Sequence, residues 1–144
     1  MMKNLKVLLF PLLLLLVSCV DDEKVIDPTN NPEEISVAFF SAIYNDKDIK
    51  KAAAVCSPKL ARIILHYRSP KAVARHLFNM SYDSVEIRPD DSGVKVREQF
   101  KNEAKITLYF EGMYQGEKRR DVKRLYVIQK DGRWYIDKIL KDPF

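Results

Sequence analysis

Hydrophobic positions divide the chain into a helical first half and a strand-rich second half. Ile35, Phe39 and Ile43 recur every four residues, a spacing that places them on one face of a helix. Asn31 or Asn30 before Pro32 is typical of a helix N-terminus, because asparagine caps the first turn and proline fits its first position. The pattern therefore predicts a first helix that begins at Pro32.

Three further helix starts follow within 40 residues. Asp48 can cap a second helix over 49–55, and Ser57 and Ser69 each stand before a proline. The third helix is expected to turn its apolar side inward, with Leu60, Ile63, Ile64 and Tyr67 on that side. Short, sharply turned helices are predicted up to about residue 80.

From Tyr82 onward the hydrophobic period changes to two, which indicates strands. Alternation is clearest from Ala104 to Phe110, and turns are predicted at 90–93, at Gln115-Gly116 and at 131–132. Roughly five strands are expected, the second of them around Val94 and Val96. Helices followed by a meander of strands predict an α+β domain with the N-terminal helices packed on one face of a curved antiparallel sheet.

Two of the predicted strands are apolar on both faces. In one, Leu125 and Val127 alternate with Tyr126 and Ile128; in the other, Trp134 and Ile136 are set against Tyr135 and Ile139. Helices can cover only one face of a sheet, so the other face has to be covered by another copy of the chain, by a partner protein or by the curl of the sheet itself. The sequence predicts a homodimer or partner contact near Tyr109, Leu125, Val127 and Tyr135.

The N-terminus has the order of a secretion signal. Lys3 and Lys6 precede an apolar run over 7–17, which is shorter than the roughly 20 residues that span a bilayer but suits a signal peptide. The run ends in Leu16-Val17-Ser18-Cys19, which resembles the bacterial lipobox. That resemblance implies a lipoprotein signal peptide over 1–18 and a lipid on Cys19 that anchors the chain in a membrane.

Residues 19–31 are predicted to be the lipidated cysteine and a flexible tether, and residues 32–144 the folded domain. Val20 stands where an aspartate would retain an enteric lipoprotein in the inner membrane, so the resemblance implies the outer membrane of a Gram-negative cell. Asp21-Asp22-Glu23 resembles an acidic surface-export signal, with a solvated linker as the alternative. The expected location is the bacterial cell envelope.

Charge and cysteine content bear on two questions, whether the chain binds nucleic acid and whether it has an internal disulfide. The formal charge of +5 falls to +3 once Lys3 and Lys6 are removed, which does not indicate a nucleic-acid partner. With Cys19 lipidated, Cys56 is left alone, so the fold must do without an internal disulfide.

The order of elements supports a resemblance to a known superfamily. Phe39-Phe40-x-Ala42-Ile43-Tyr44-Asn45-x-x-Asp48 in the first helices, and a closing hairpin from Val127 to Ile136, resemble the NTF2-like superfamily and, more narrowly, cystatin-like lipoproteins of bacterial envelopes. The resemblance covers 32–140 and implies a cone of helices on a strongly curved sheet, often with a pocket between them. It does not imply one function, because the fold hosts isomerases, dehydratases, binding modules and scaffolds.

Candidate site residues are sparse. Phe40 and Tyr44 are either pocket-lining aromatics or core. Ketosteroid-isomerase-like relatives hold a carboxylate in the cone, and here Asp137 and Glu98 are the strand carboxylates that a bulge would have to turn inward. His66 and His76 fit no metal-ligand spacing, and Cys56 is expected to be a buried, inert thiol. No catalytic residue, metal or cofactor is predicted.

A basic hairpin offers a second kind of site. Lys118, Arg119, Arg120, Lys123 and Arg124 are expected either to contact anionic lipid or lipopolysaccharide phosphates, or to form a solvated turn. The function predicted from the sequence is an envelope lipoprotein whose domain binds a partner protein or small ligand without catalysis. The alternatives are a small-pocket enzyme of the ketosteroid-isomerase or dehydratase type, and an immunity or inhibitor protein.

Overall fold

The computed structural model describes residues 31–90, 98–100 and 102–142. Its helices are α1 (Pro32–Tyr44), α2 (Ile49–Ala54), α3 (Pro58–His66) and α4 (Pro70–Ala72), the last continued by a π-helical turn (Val73–Leu77). Its strands are β1 (Ser84–Pro89), β2 (Glu98–Phe100), β3 (Glu103–Tyr114), β4 (Glu117–Lys130) and β5 (Arg133–Ile139). Cys19, the predicted turn at 90–93 beyond Asp90, and Val94 and Val96 lie outside the described residues.

Local capping sets the helix starts, as the sequence predicts. The Asn31 side chain accepts a hydrogen bond from the backbone N–H of Glu34 at 2.8 Å. Asp48 accepts from two backbone N–H groups at the start of α2, both at 3.0 Å. Ser57 and Ser69 cap α3 and α4 in the same way. Each cap satisfies donors that a helix N-terminus leaves without a partner.

The strands form one antiparallel sheet in the order β1-β3-β4-β5, with β2 also paired to β3. The β3–β4 hairpin has the longest strand pairing of this sheet. Its turn has positive φ at Gln115 and Gly116. The helices pack on one face of the sheet. The predicted α+β class, with helices on an antiparallel sheet, is confirmed.

Alternation along β3 divides the sheet into an inner face, toward the helices, and an outer face. The inner row is buried as predicted and consists of Ala104, Ile106, Leu108 and Phe110. Phe39 and Phe40 of α1 pack on this row, and the Phe40 and Phe110 ring centroids lie 4.9 Å apart in an edge-to-face contact. The core therefore lies between α1 and the inner face of the sheet.

Two predicted orientations are wrong. Ile63 is 41% exposed, because α3 buries Leu60 and Ile64 and leaves Ile63 on its flank. Ile139 packs against the core instead of sharing a face with Tyr135. A bulge in the β4–β5 pairing between Tyr126 and Val127 shifts the register, and a one-residue shift moves a side chain to the opposite face of a strand.

The free edge of β5 is partly covered by the connection between α2 and α3. The backbone N–H of Ile136 donates to the carbonyl of Val55 at 2.9 Å, and the N–H of Ser57 donates to the carbonyl of Ile136 at 2.8 Å. These bonds form a short parallel bridge. The helix layer is thus joined to the sheet by backbone hydrogen bonds as well as by packing.

Trp134 is 5% exposed on the inner face of β5. We expect Trp134→Ala to lower the free energy of unfolding by about 3–5 kcal/mol, because it leaves a large cavity in the core. Urea unfolding of both proteins measures the difference, with the exposed Tyr109→Ala as the comparison. A loss below about 1 kcal/mol would show that this ring is not a core residue.

Candidate functional site

Phe40 and Tyr44, two of the predicted site residues, lie in the core. Phe40 has no exposed surface and Tyr44 is 4% exposed. The Tyr44 hydroxyl donates a hydrogen bond to the carbonyl oxygen of Met80 at 2.7 Å. Phe39, Phe78 and Phe110 fill the space around them. Among the described residues, packed aromatic rings therefore fill the space between α1 and the sheet, where the resemblance implied a pocket.

A polar contact that the sequence did not predict lies at the end of this aromatic cluster. Asp121 of β4 pairs with Phe110 and faces the inner side, where its carboxylate accepts a hydrogen bond from the Tyr82 hydroxyl. Gly112 makes room for the Tyr82 ring, since a β-carbon at that position would lie 2.8 Å from a ring carbon and 2.1 Å from the Ser84 carbonyl oxygen. The sequence favours surface exposure for Asp137 and Glu98, the strand carboxylates that a bulge would have to turn inward. Asp137 lies near Tyr126 on the outer face, and the side chain of Glu98 is outside the described residues.

The phenol groups of Tyr44 and Tyr82 both have raised pKa values, which favour their neutral form. Burial, reinforced by the negative charge of Asp121, raises the pKa of Tyr44 far above its ordinary value. Burial and the hydrogen bond to Asp121 likewise raise the pKa of Tyr82, and Arg119 opposes that rise in part. A neutral phenol that donates to a carboxylate stabilises the fold and leaves that carboxylate engaged.

The four predicted contact residues do not share a surface. Tyr109 is 41% exposed and Tyr135 half-buried on the outer face. Leu125 and Val127 have no exposed surface, because their register with Ile106 and Ala104 points them to the inner face. Their assignment to the contact surface is wrong, and the residues that alternate with them take that position.

We define the outer patch as Tyr109, Val122, Tyr126, Ile128 and Tyr135. Tyr109 pairs across strands with Val122, and Ile128 pairs with Tyr135. All five are exposed or half-buried, and no described element packs over them. The patch is thus a broken apolar strip on the side of the sheet opposite the helices.

Charged groups of both signs border the outer patch. The ammonium group of Lys138 lies 5.3 Å from the centre of the Tyr126 ring. A hydrogen bond to Glu103 raises the pKa of Tyr126, and Tyr109 donates a hydrogen bond to Asp90 at 3.2 Å. Groups of both signs therefore lie beside the apolar strip.

An open depression of about 680 Å³ lies where β1, β3, β4 and the C-terminal segment meet. It surrounds three consecutive strand pairs, Tyr109–Val122, Phe110–Asp121 and Glu111–Arg120, and is completed by Arg88 and Asp142. Its wall mixes charges with one exposed aromatic ring. Such a surface suits contact with a polar partner better than enclosure of an apolar ligand.

The basic hairpin is largely neutralised within the domain. Lys118 and Arg120 both pair with Glu111, at 2.6 and 3.3 Å, and these cations lower the pKa of Glu111. The guanidinium of Arg119 lies over the Tyr114 ring, 4.8 Å from its centre. Lys123 is buried and bound to Asp142, at 2.7 and 2.8 Å. This arrangement favours a structured, solvated hairpin over an anion-binding site.

The other candidates have structural roles. Cys56 is 6% exposed, its thiol contacts the Ala52 carbonyl at 3.3 Å, and burial raises its pKa. Both histidines are exposed, with His76 stacked on Tyr67. In the described ranges no three His, Cys, Asp or Glu side chains are grouped to hold a metal ion. None of the described helices is long and apolar enough to cross a membrane.

Comparison with known proteins identifies a similar fold. The chain resembles the solution structure of RPA3114, a SEC-C motif containing protein from Rhodopseudomonas palustris, with a TM-score of 0.60 and 15% sequence identity over 79% of this chain and 80% of that one. At this identity the likeness concerns the fold alone. No protein-family model and no curated protein matches the sequence.

The buried phenols generate a prediction about alkaline stability. Above about pH 10 the unfolded chain releases its tyrosine protons while folded Tyr44 and Tyr82 retain theirs. The unfolded state then binds fewer protons, so the free energy of unfolding falls as pH rises, by up to about 1.4 kcal/mol per pH unit for Tyr44. The contribution of Tyr82 is smaller, because solvent screens its interactions in part.

We expect Tyr44→Phe to be less stable at pH 7, because the Met80 carbonyl loses its donor, and to lose stability less steeply above pH 10. Urea unfolding between pH 7 and 11 measures both effects, and Tyr67→Phe, at a half-buried position of the helix layer, is the matched control. Equal alkaline slopes for all three proteins would contradict the role given to Tyr44.

Proposed function

We propose that this chain is a lipid-anchored protein of the bacterial envelope whose domain acts by binding a protein partner, without catalysis. The observation that carries the proposal is the contrast between the two sheet faces. Aliphatic and aromatic side chains fill the inner face, whereas the outer patch has Tyr109 41% exposed and four half-buried side chains. An apolar strip that no described element covers is a candidate contact site.

The anchor is inferred from the sequence alone. Leu16-Val17-Ser18-Cys19 ends an apolar run too short to span a bilayer, and residues 20–30 can extend at most about 40 Å as a tether. A lipid on Cys19 would therefore keep the domain close to the membrane surface.

The partner that best fits the outer patch is a second copy of the chain. A two-fold contact brings the same patch from both copies together, and the charged groups beside it can then face groups of opposite sign on the other copy. Lys138 and Asp137 supply both signs beside Tyr126. Anchoring in one membrane would also raise the effective concentration of the copies.

Membership of the NTF2-like superfamily belongs to the same proposal. It is supported by the order of helices before a meander and by the aromatic face of α1. One observation favours the enzymatic alternative, since Asp121 and Tyr82 are a carboxylate and a phenol in contact on the inner face. Two contacts argue against an enzyme. The Asp121 carboxylate already accepts a hydrogen bond from Tyr82, and the rings of Tyr44 and Phe110 fill the space beside Tyr82. No described contact favours an immunity or inhibitor role over these two.

We expect Cys19→Ala to abolish lipid attachment, because the cysteine thiol is the proposed acceptor. Cells expressing each protein are labelled with radioactive palmitate, and the precursor and mature forms are separated by size. Cys56→Ala is the matched control and should be labelled like the unchanged protein. Label on the Cys19→Ala variant would contradict the anchor.

We expect the domain from Val20 onward, which contains the whole described core, to form a dimer that Tyr109→Lys disrupts. The lysines of two copies would face each other across the two-fold axis. Leu65→Lys is the control, since Leu65 is similarly exposed, at 44%, but belongs to the helix layer. Sedimentation at increasing concentration measures the state. A strict monomer for the unchanged domain would refute the second-copy assignment.

A further inference from the structure

A long segment of the chain carries only positive charge. Between Asp48 and Asp83 the sequence has seven Lys and Arg, both histidines of the chain, and no acidic residue. This segment forms α2, α3, α4 and the π-helical turn, which is most of the helix layer. The cations of this segment thus lie in the helix layer, on the side of the sheet opposite the outer patch.

We define the basic face as Lys59, Arg62, His66, Arg68, Lys71 and Arg75. All six are exposed. Three of them fall at positions i, i+3 and i+7 of α3, on the side opposite its buried Leu60 and Ile64. The stacking of Tyr67 on His76 joins the end of α3 to the π-helical turn that carries Arg75. The basic face therefore continues from one helix to the next.

These cations differ from those of the hairpin in having no counter-charges. Among the described residues, no salt bridge involves the basic face, whereas Lys51 of the neighbouring α2 pairs with Asp46. At the hairpin, by contrast, Glu111 pairs with two cations. Exposed cations without counter-charges attract an anionic surface over a Debye length of about 8 Å at physiological salt.

Exposed aliphatic side chains border the cations on both sides. Ile63 is 41% and Leu65 44% exposed, on opposite flanks of the row that contains Arg62 and His66. A helix with a cationic stripe and protruding aliphatic groups matches the boundary between lipid headgroups and acyl chains. A purely electrostatic partner such as a nucleic acid gives those aliphatic side chains no apolar environment.

We propose that the basic face docks on the anionic headgroups of a lipid bilayer, with Ile63 and Leu65 reaching the edge of the acyl region. That a bilayer is within reach rests on the proposed Cys19 anchor, and the contact adds an orientation that a flexible tether does not give. One basic side chain near an anionic surface contributes roughly fivefold in partitioning, so the loss of three cations weakens docking by about 100-fold.

The test uses the full chain reconstituted through its own N-terminus into phosphatidylcholine vesicles with or without 30% phosphatidylglycerol, both with brominated acyl chains that quench nearby tryptophan. Ile63→Trp places a reporter on the basic face. Met113→Trp is the control, since Met113 is equally exposed, at 41%, but lies near the sheet hairpin. The buried Trp134 contributes the same background to both.

We expect quenching of the Ile63→Trp reporter in anionic vesicles, little in neutral ones, and its reversal by 0.5 M salt, with the Met113→Trp reporter unquenched throughout. Adding Lys59→Gln, Arg62→Gln and Arg68→Gln should abolish the quenching. The same charge removed from the hairpin, by Lys118→Gln, Arg119→Gln and Arg120→Gln, should leave it in place.

Other outcomes overturn the proposal. Equal quenching of both reporters, or equal loss with both triple variants, would show a response to overall charge alone. Flotation with neutral and anionic vesicles, without selective quenching, would keep the anchor and reject the docking face. Flotation with anionic vesicles only, reversed by salt, would reject the anchor and keep the face. Flotation with neither would reject both, and binding to a DNA oligonucleotide without vesicle quenching would reject the membrane as the partner.

Discussion

The contact between the aromatic face of α1 and the inner face of β3 is the interaction on which the rest of the structure depends. Phe39 and Phe40 have no exposed surface, and Phe40 meets Phe110 edge to face at 4.9 Å. With Cys56 the one cysteine in the described residues, unpaired and buried, this packing has to supply the stability that small secreted domains often obtain from disulfides.

Filling the inner face in this way limits where the domain can interact. The space beneath α1 that a ligand would need is occupied by Phe40, Tyr44 and Phe78, so recognition has to use the exterior. The exterior has two unlike sides, an outer sheet face with mixed charges and the basic face on α3, α4 and the π-helical turn. The two proposed contacts, with a lipid surface and with a second copy of the chain, use these two sides separately.

Sequence periodicity was sufficient where a local rule decides the structure. Asn31, Asp48 and the Ser-Pro pairs cap helices because the cap depends on neighbouring residues only. It was insufficient along β4, which is apolar on both faces, because register with β3 decides which row is buried. Asp121 was missed since a polar residue in a basic stretch gives no periodic signal for an inward position, and Ile139 was misplaced by a bulge with no local marker.

The bridge between the α2–α3 connection and β5 has a consequence for assembly. An edge strand exposes backbone donors and acceptors that can capture a strand from another molecule, which is a common route to domain swapping and fibrils. Here Val55 and Ser57 occupy the N–H and carbonyl of Ile136. A foreign strand could not pair along β5 at Ile136 without displacing them, so this end of the sheet is protected against open-ended polymerisation.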